Sequence, residues 1–406
     1  MKRRIELDAA RGLMLVWMTL THLPTAITPW VNQPFGYISS SEGFIFLSAL
    51  FTGLIYFRLL DRDGLGSMNR KLYLRTLRLY GYHVLLLLFA FIVAARIALT
   101  GRAPALYNLL DFYFSAGAAR AIRDSLLLVY RPPLLDIIPL YVIFLLLSPI
   151  VLLVTERLKL PWKYLLCGSF GLWILAQFGL REACYNLIAH HFGVRIPLNE
   201  MGAFNLWAWQ FMWIFGMWCG VRWAKNDLPV ENWAAQVWRP ALVVALGFLT
   251  VRYAELHGLN LGSSAIFFDK WHLGVARMID FAAIAMLLVR FQSLLEPLAI
   301  RPLVMLGQSS LHVFCTHFLF CFAGLAMMNT ADHVSGWPQV VLIVVTFASL
   351  LGVAKISAKH GASAPVIARA PQTLFRESLR EPAPTSPIPA AAVSLNAAES
   401  DRPQAA

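Results

Sequence analysis

Apolar runs about twenty residues long alternate with short charged or Gly/Pro-containing stretches along most of the chain. The runs lie near 9–29, 43–60, 79–99, 134–154, 162–179, 203–222, 239–252, 275–292, 303–328 and 338–355, the seventh being the shortest. Roughly 20 apolar residues in an α-helix cross the hydrocarbon of a bilayer. Only structures that satisfy their own backbone polar groups can do so. The pattern predicts an all-α fold: a polytopic integral membrane helix bundle of about ten transmembrane helices. Residues 1–358 form one membrane domain. Residues 359–406, rich in Ala, Pro and Ser, predict a disordered cytoplasmic tail.

Composition agrees. Hydrophobic residues make up 58% of the 406 and charged residues 14%, against roughly 25% charge in soluble domains. The 13 Trp and 12 Tyr suit interfacial belts. A net charge of +12 in a soluble chain would suggest nucleic acid. Here it reads as cytoplasmic-loop Lys and Arg, and no nucleic-acid motif accompanies it. The five cysteines form no CxxC, so neither a disulfide framework nor a metal site is expected. The run from Ala9 carries Arg11 and His22 and lacks a small-x-small cleavage site, so it reads as a retained first helix.

With the N-terminus inside, inner segments before the tail carry seventeen Lys and Arg and outer ones nine. The positive-inside bias then places both termini in the cytoplasm. The outer segment 100–133 mixes Arg102, Arg120 and Arg123 with Tyr107, Phe112, Tyr113 and Phe114, and reads as an amphipathic stretch on the outer interface.

Charged and polar residues inside spans need a reason. Arg11 and His22 share one face of the first helix, roughly 16 Å apart along its axis. Each has a plainer reading, a snorkelling Arg and a helix-bridging His. Glu42 opens the second helix after a short connection, near enough to orient His22, unless it only caps its helix. Arg75 and Arg78, at i, i+3, share a face of the third helix with His83 about a turn deeper. A paired set of this kind suits an anion such as the phosphates of coenzyme A, although topology alone favours basic residues there. Asp136 opens the fourth helix, and its plainer reading is a helix cap. Arg277 and Asp280, at i, i+3, read as mutual neutralisation. Gly307, Ser310, Phe314 and His317 recur at spacings of 3, 4 and 3, one stripe that either packs a helix or lines a site.

The segments RRIELDAARGLMLVWMTLTHLP and FGYISSSEGFIFLSALFTGLIY, then LRLYGYHVLLL, LLDIIPLYVIFLLL, FNLWAWQFMWIFGMW and LGQSSLHVFC, together resemble the OpgC family over about residues 3–355. That family resembles in turn the wider transmembrane acyltransferase 3 family. The resemblance implies succinylation or related acylation of osmoregulated periplasmic glucans in the bacterial inner membrane. By the same resemblance, the Arg–His spacing of the first helix falls on Arg11 and His22, and Arg-x-x-Arg on Arg75 and Arg78. The late glycine–serine–histidine pattern is similar to Gly307, Ser310 and His317. Two positions depart from the family pattern: Ala49 follows Ser48 where glycine is usual, and Phe314 stands where Tyr is usual.

The resulting expectation is acyl transfer from a cytoplasmic acyl-CoA, succinyl-CoA or acetyl-CoA, to hydroxyls of a periplasmic glucan or other glycan. His22 is the catalytic group, as base or as transient acyl carrier, with Glu42 orienting it. Arg11, Arg75, Arg78 and His83 bind the donor, and Asp136, Ser310 and His317 are further candidates. No cofactor is held permanently. The rivals are a transporter or exporter of an anionic glycan or lipid, and an inactive scaffold.

Overall fold

The computed structural model describes residues 5–193, 196–328 and 333–361. Among these residues the secondary structure is helical, apart from one isolated bridge between Thr25 and Val334. The helices that build the bundle around the site are α1 (Ile5–His22), α2 (Ser40–Leu88), α3 (Ile137–Leu152), α4 (Trp162–Gln177), α5 (Leu206–Ala224), α6 (Val230–Leu256), α7 (Val275–Arg290), α8 (Arg301–Gln308), α9 (Ser310–Met327) and α10 (Gly336–Gly361). Most of the expected tail lies outside the described residues; α10 runs to Gly361, past the expected boundary at 358.

Among the described residues five helical stretches are, by length and composition, long and apolar enough to cross a bilayer, and up to seven if each of two sharply bent pairs counts as one span. The longest, Ser40–Ala98, has 59 residues. Gly64 breaks it with φ 79° and ψ 176°, a backbone that glycine adopts without penalty. The chain therefore turns back at Gly64, and the arms of α2 on either side run as separate helices. A π-helical turn, Phe89–Ala94, follows the second arm.

Close helix crossings use glycine. A Cβ on Gly12 would strike the Leu303 backbone, and one on Gly307 the Asp8 carbonyl, so α1 and α8 meet backbone to backbone. Gly53 against Met217 and Gly220 against Leu50 do the same for α2 and α5. Between helices in lipid there is little hydrophobic drive, so such close contact supplies the packing. Leu85, Leu88, Ile92, Leu146, Leu147 and Ile150 remain exposed on the outside of the bundle.

The segment after Ala98 packs against the bundle. Its short helices (Pro104–Leu109, Asp111–Ala116 and Ala118–Leu126) fold back along the second arm of α2. Phe91 stacks on Tyr113 with ring centroids 4.7 Å apart, and Tyr80 Oη donates to the Leu126 carbonyl at 2.8 Å. Ser125 and Tyr130 are fully buried. Aromatic and small side chains let this segment pack into the bundle, which local amphipathicity does not reveal.

Candidate functional site

The Gly307–Ser310–Phe314–His317 stripe crosses a helix break at Gln308–Ser309, so α8 carries its first member and α9 the rest. All four face α1 or the start of α2. Gly307 abuts Asp8. Ser310 Oγ accepts a hydrogen bond from Arg11 Nη2. The Phe314 ring stacks on Phe44 at 5.3 Å. His317 Nε2 lies 3.2 Å from His22 Nδ1. From Arg11 to His22 and from Ser310 to His317 the contacts advance together, so α1 and α9 run in the same direction.

Hydrogen bonding sets the tautomers. His317 Nδ1 bonds the Phe314 carbonyl. A carbonyl only accepts, so that nitrogen carries the proton. In the neutral ring Nε2 is then bare, and it accepts from His22 Nδ1. His22 Nε2 is left with its lone pair. His317 is buried and His22 partly buried, with Phe318 against both rings at 4.1 and 6.1 Å.

Toward the Gly64 end of the bundle a recess is lined by Arg11, Arg75, Tyr141, Ser310, Phe44 and Phe314. Arg75 Nη2 donates to Tyr141 Oη at 2.8 Å. Arg78 does not line this recess. Three residues turn an α-helix by about 300°, so Arg78 is displaced by some 60° from Arg75, and it is exposed. His83 does not join them either: it is fully buried beside Tyr80 and the backbone of Ser125. The expected four-residue donor set is thus divided, with Arg11 and Arg75 together and Arg78 and His83 elsewhere.

Glu42 does not orient His22. It is fully buried and forms a capping box, with Ser39 N donating to Oε2 at 2.9 Å. Its Oε1 accepts from Arg277 Nε at 2.9 Å and also from Nη2. Arg277 and Asp280 form no direct ion pair with each other: Arg277 pairs with Glu42, and Asp280 Oδ2 accepts from Tyr37 N at 2.6 Å. On α7, Arg277 turns to α2 while Asp280 reaches the loop before it, so i, i+3 proximity loses to partners brought by tertiary packing. Asp136 Oδ2 accepts from Ala203 N at 3.0 Å and fixes the turn that precedes α5.

One cation escaped the sequence reading. Lys270 sits in the loop between α6 and α7, within electrostatic reach of Glu42, Asp136, Arg277 and His22. Its only sequence signal is a position among Phe267, Phe268 and Trp271.

These features define a helical membrane protein with a polar line through its packed interior. The line runs from Arg11 and Arg75 through Ser310 to the His22–His317 pair, with Glu42, Arg277 and Lys270 beyond. The model of the family described as OpgC protein matches residues 3–361. The chain therefore belongs to the OpgC family, and with that membership goes a transferase activity in general terms. No curated protein and no solved structure matches the chain.

Proposed function

We propose that the protein is a membrane-embedded O-acyltransferase. It takes an acyl group, succinyl or acetyl, from cytoplasmic acyl-CoA and places it on hydroxyls of a periplasmic glucan or another extracytoplasmic glycan. The observation that carries this reading is the His22–His317 contact, which leaves His22 Nε2 unprotonated inside the bundle. That is the state a general base needs, with a second group orienting it.

Ten spans follow when the two arms of α2 count separately and α1 and α5 are added. Both termini then face the cytoplasm of a bacterial inner membrane. Coenzyme A is large and polyanionic, so its head stays at the Gly64 end, where Arg11 and Arg75 line the recess. The thioester reaches past Phe44 and Phe314 toward His22. The glycan hydroxyl gives its proton to His22 Nε2 as its oxygen attacks the thioester carbonyl. The tetrahedral intermediate collapses, the C–S bond breaks, and the thiolate takes the proton from His22. Ester and free coenzyme A leave on opposite sides.

The test is mass spectrometry of periplasmic glycans from a deletion strain carrying wild type or His22→Ala, with membrane abundance matched. An acyl mass restored by wild type alone supports the reading and names the acyl group. Restoration by both removes His22 from the chemistry. Glycan export without any acyl mass favours a transporter.

A further inference from the structure

Past His22 the chain leaves α1 and builds a second recess, at the end of the helix opposite Arg11. It measures about 410 Å³, within the range of about 300–1,000 Å³ typical of small-ligand pockets. Thr25, Thr28, Asn32 and His333 supply its polar lining, and two prolines and Ala26 the rest. Pro24 follows His22 by two residues, so their Cα atoms lie within about 7.6 Å of each other. Thr28 Oγ1 donates to the Leu23 carbonyl at 2.6 Å and lies 3.4 Å from that of Leu20, so the recess wall is bonded to the turn that carries His22. On α9, Gly324 stands about two turns beyond His317, and a Cβ there would strike the Pro24 ring. Both helices of the histidine pair therefore touch the recess wall. The frame is tied from outside as well. Val334 N donates to the Pro24 carbonyl and Ala26 N to Gln339 Oε1, each at 2.8 Å, and Trp17 Nε1 donates to the Val31 carbonyl.

The lining carries no Asp, Glu, Lys or Arg. A charged group bound there would lose water without meeting a counter-charge. Among the described residues the Asn32 amide and the His333 imidazole have no hydrogen-bond partner. The amide supplies two donors and an acceptor oxygen, and the neutral imidazole one donor and one acceptor. A hydroxyl, itself donor and acceptor, can answer either group both ways. Pro24 and Pro29 add C–H surface and no donor, since proline lacks the backbone N–H. A ring with C–H faces and several hydroxyls fits this division. A carboxylate only accepts, so it would use half of the polar lining and bring a charge that the lining does not balance.

We propose that this recess binds one uncharged sugar residue, on the side of the His22–His317 pair away from Arg11 and Arg75. Asn32 and His333 bond its hydroxyls, and the prolines pack against its ring. That the sugar is the acyl acceptor rests on the acyl-transfer reading; the sugar site does not.

The full-length protein in lipid nanodiscs, free of sugar-based detergent, is titrated calorimetrically with maltotriose, laminaritriose and glucuronate. Wild type is expected to bind at least one neutral trisaccharide, and to bind it more tightly than glucuronate. Asn32→Leu removes the free amide and should weaken that trisaccharide about tenfold, the scale of one hydrogen bond. Ala26→Trp fills the recess from an exposed position and should weaken it at least as much. If wild type binds neither trisaccharide, or binds glucuronate as tightly, the proposal is overturned without recourse to a variant. Unchanged binding by either variant overturns it too. If binding depends on Asn32 but inner-membrane vesicles move no acyl group from succinyl-CoA or acetyl-CoA to the trisaccharide, the sugar site stands and the transferase reading falls. If transfer occurs with the same KM for the trisaccharide in wild type and Asn32→Leu, the transferase reading stands and the sugar site falls.

Discussion

His22 Nδ1 and His317 Nε2 face each other at 3.2 Å across α1 and α9, 295 residues apart in sequence. In the proposed reaction the contact would make His317 a positioning residue. It holds the His22 ring by one nitrogen and leaves the other without that contact.

Removing that hold should lower turnover without greatly changing donor affinity. His317→Ala is expected to reduce kcat by about a hundredfold, the lower range for a disturbed general base. His317→Gln keeps an acceptor near the same place and should recover part of the loss. Steady-state transfer in membrane vesicles, with KM and kcat separated, reads this out. A KM effect alone would move His317 to substrate binding.

Tyr141→Phe removes the hydroxyl that Arg75 meets at 2.8 Å. A guanidinium left with Tyr56 but without Tyr141 should hold the donor less well, raising KM for acyl-CoA by about tenfold, equivalent to about 1.4 kcal/mol. kcat at saturating donor should stay near wild type. An unchanged KM would separate Arg75 from donor binding.

Glu42 and Arg277 are both fully buried, so loss of one strands the other. Arg277→Met or Glu42→Gln should each cost about 3–5 kcal/mol of stability, seen as lost membrane abundance or a lowered Tm in detergent. The double variant Glu42→Gln/Arg277→Met should recover much of it. Absence of recovery would mean that the carboxylate is needed beyond the ion pair.

His272 sits outside the spans and hydrogen-bonds Asp269, and this contact raises its pKa above the ordinary 6.5. Partial burial and Arg181 oppose the rise, while Glu182, 4.0 Å from Nε2, assists it. Asp269 is correspondingly held below its usual value, chiefly by the His272 hydrogen bond acting against burial. A raised folded pKa stabilises fully below the unfolded value and fades as pH rises through the folded one. The loop should therefore loosen as pH climbs above the usual histidine range, and for Asp269 as pH falls through its lowered value. Wild type should lose Tm on the alkaline side more steeply than His272→Gln; identical slopes would refute the linkage.

The helical membrane character and the cluster of inward polar groups were legible in the chain. Run length against bilayer thickness sets the first. For the second, α-helical periodicity places Ser310, Phe314 and His317 on one face whatever the helix packs against. The Ser39–Glu42 capping box is likewise a local signature. Partners are another matter. Periodicity says which residues share a face, not which helix that face meets. Arg75 reached the recess while Arg78 and His83 turned elsewhere, because small azimuth differences decide between the interior and its margins. Glu42 found Arg277 across 235 residues instead of nearby His22. The Asp269–Gly274 loop is anchored by Trp173, Gln177 and Trp209, three side chains from helices far away in sequence. Those contacts depend on how helices cross. Glycine positions such as Gly307 and Gly220 fix that crossing by backbone contact, and no single helix carries it in its own sequence.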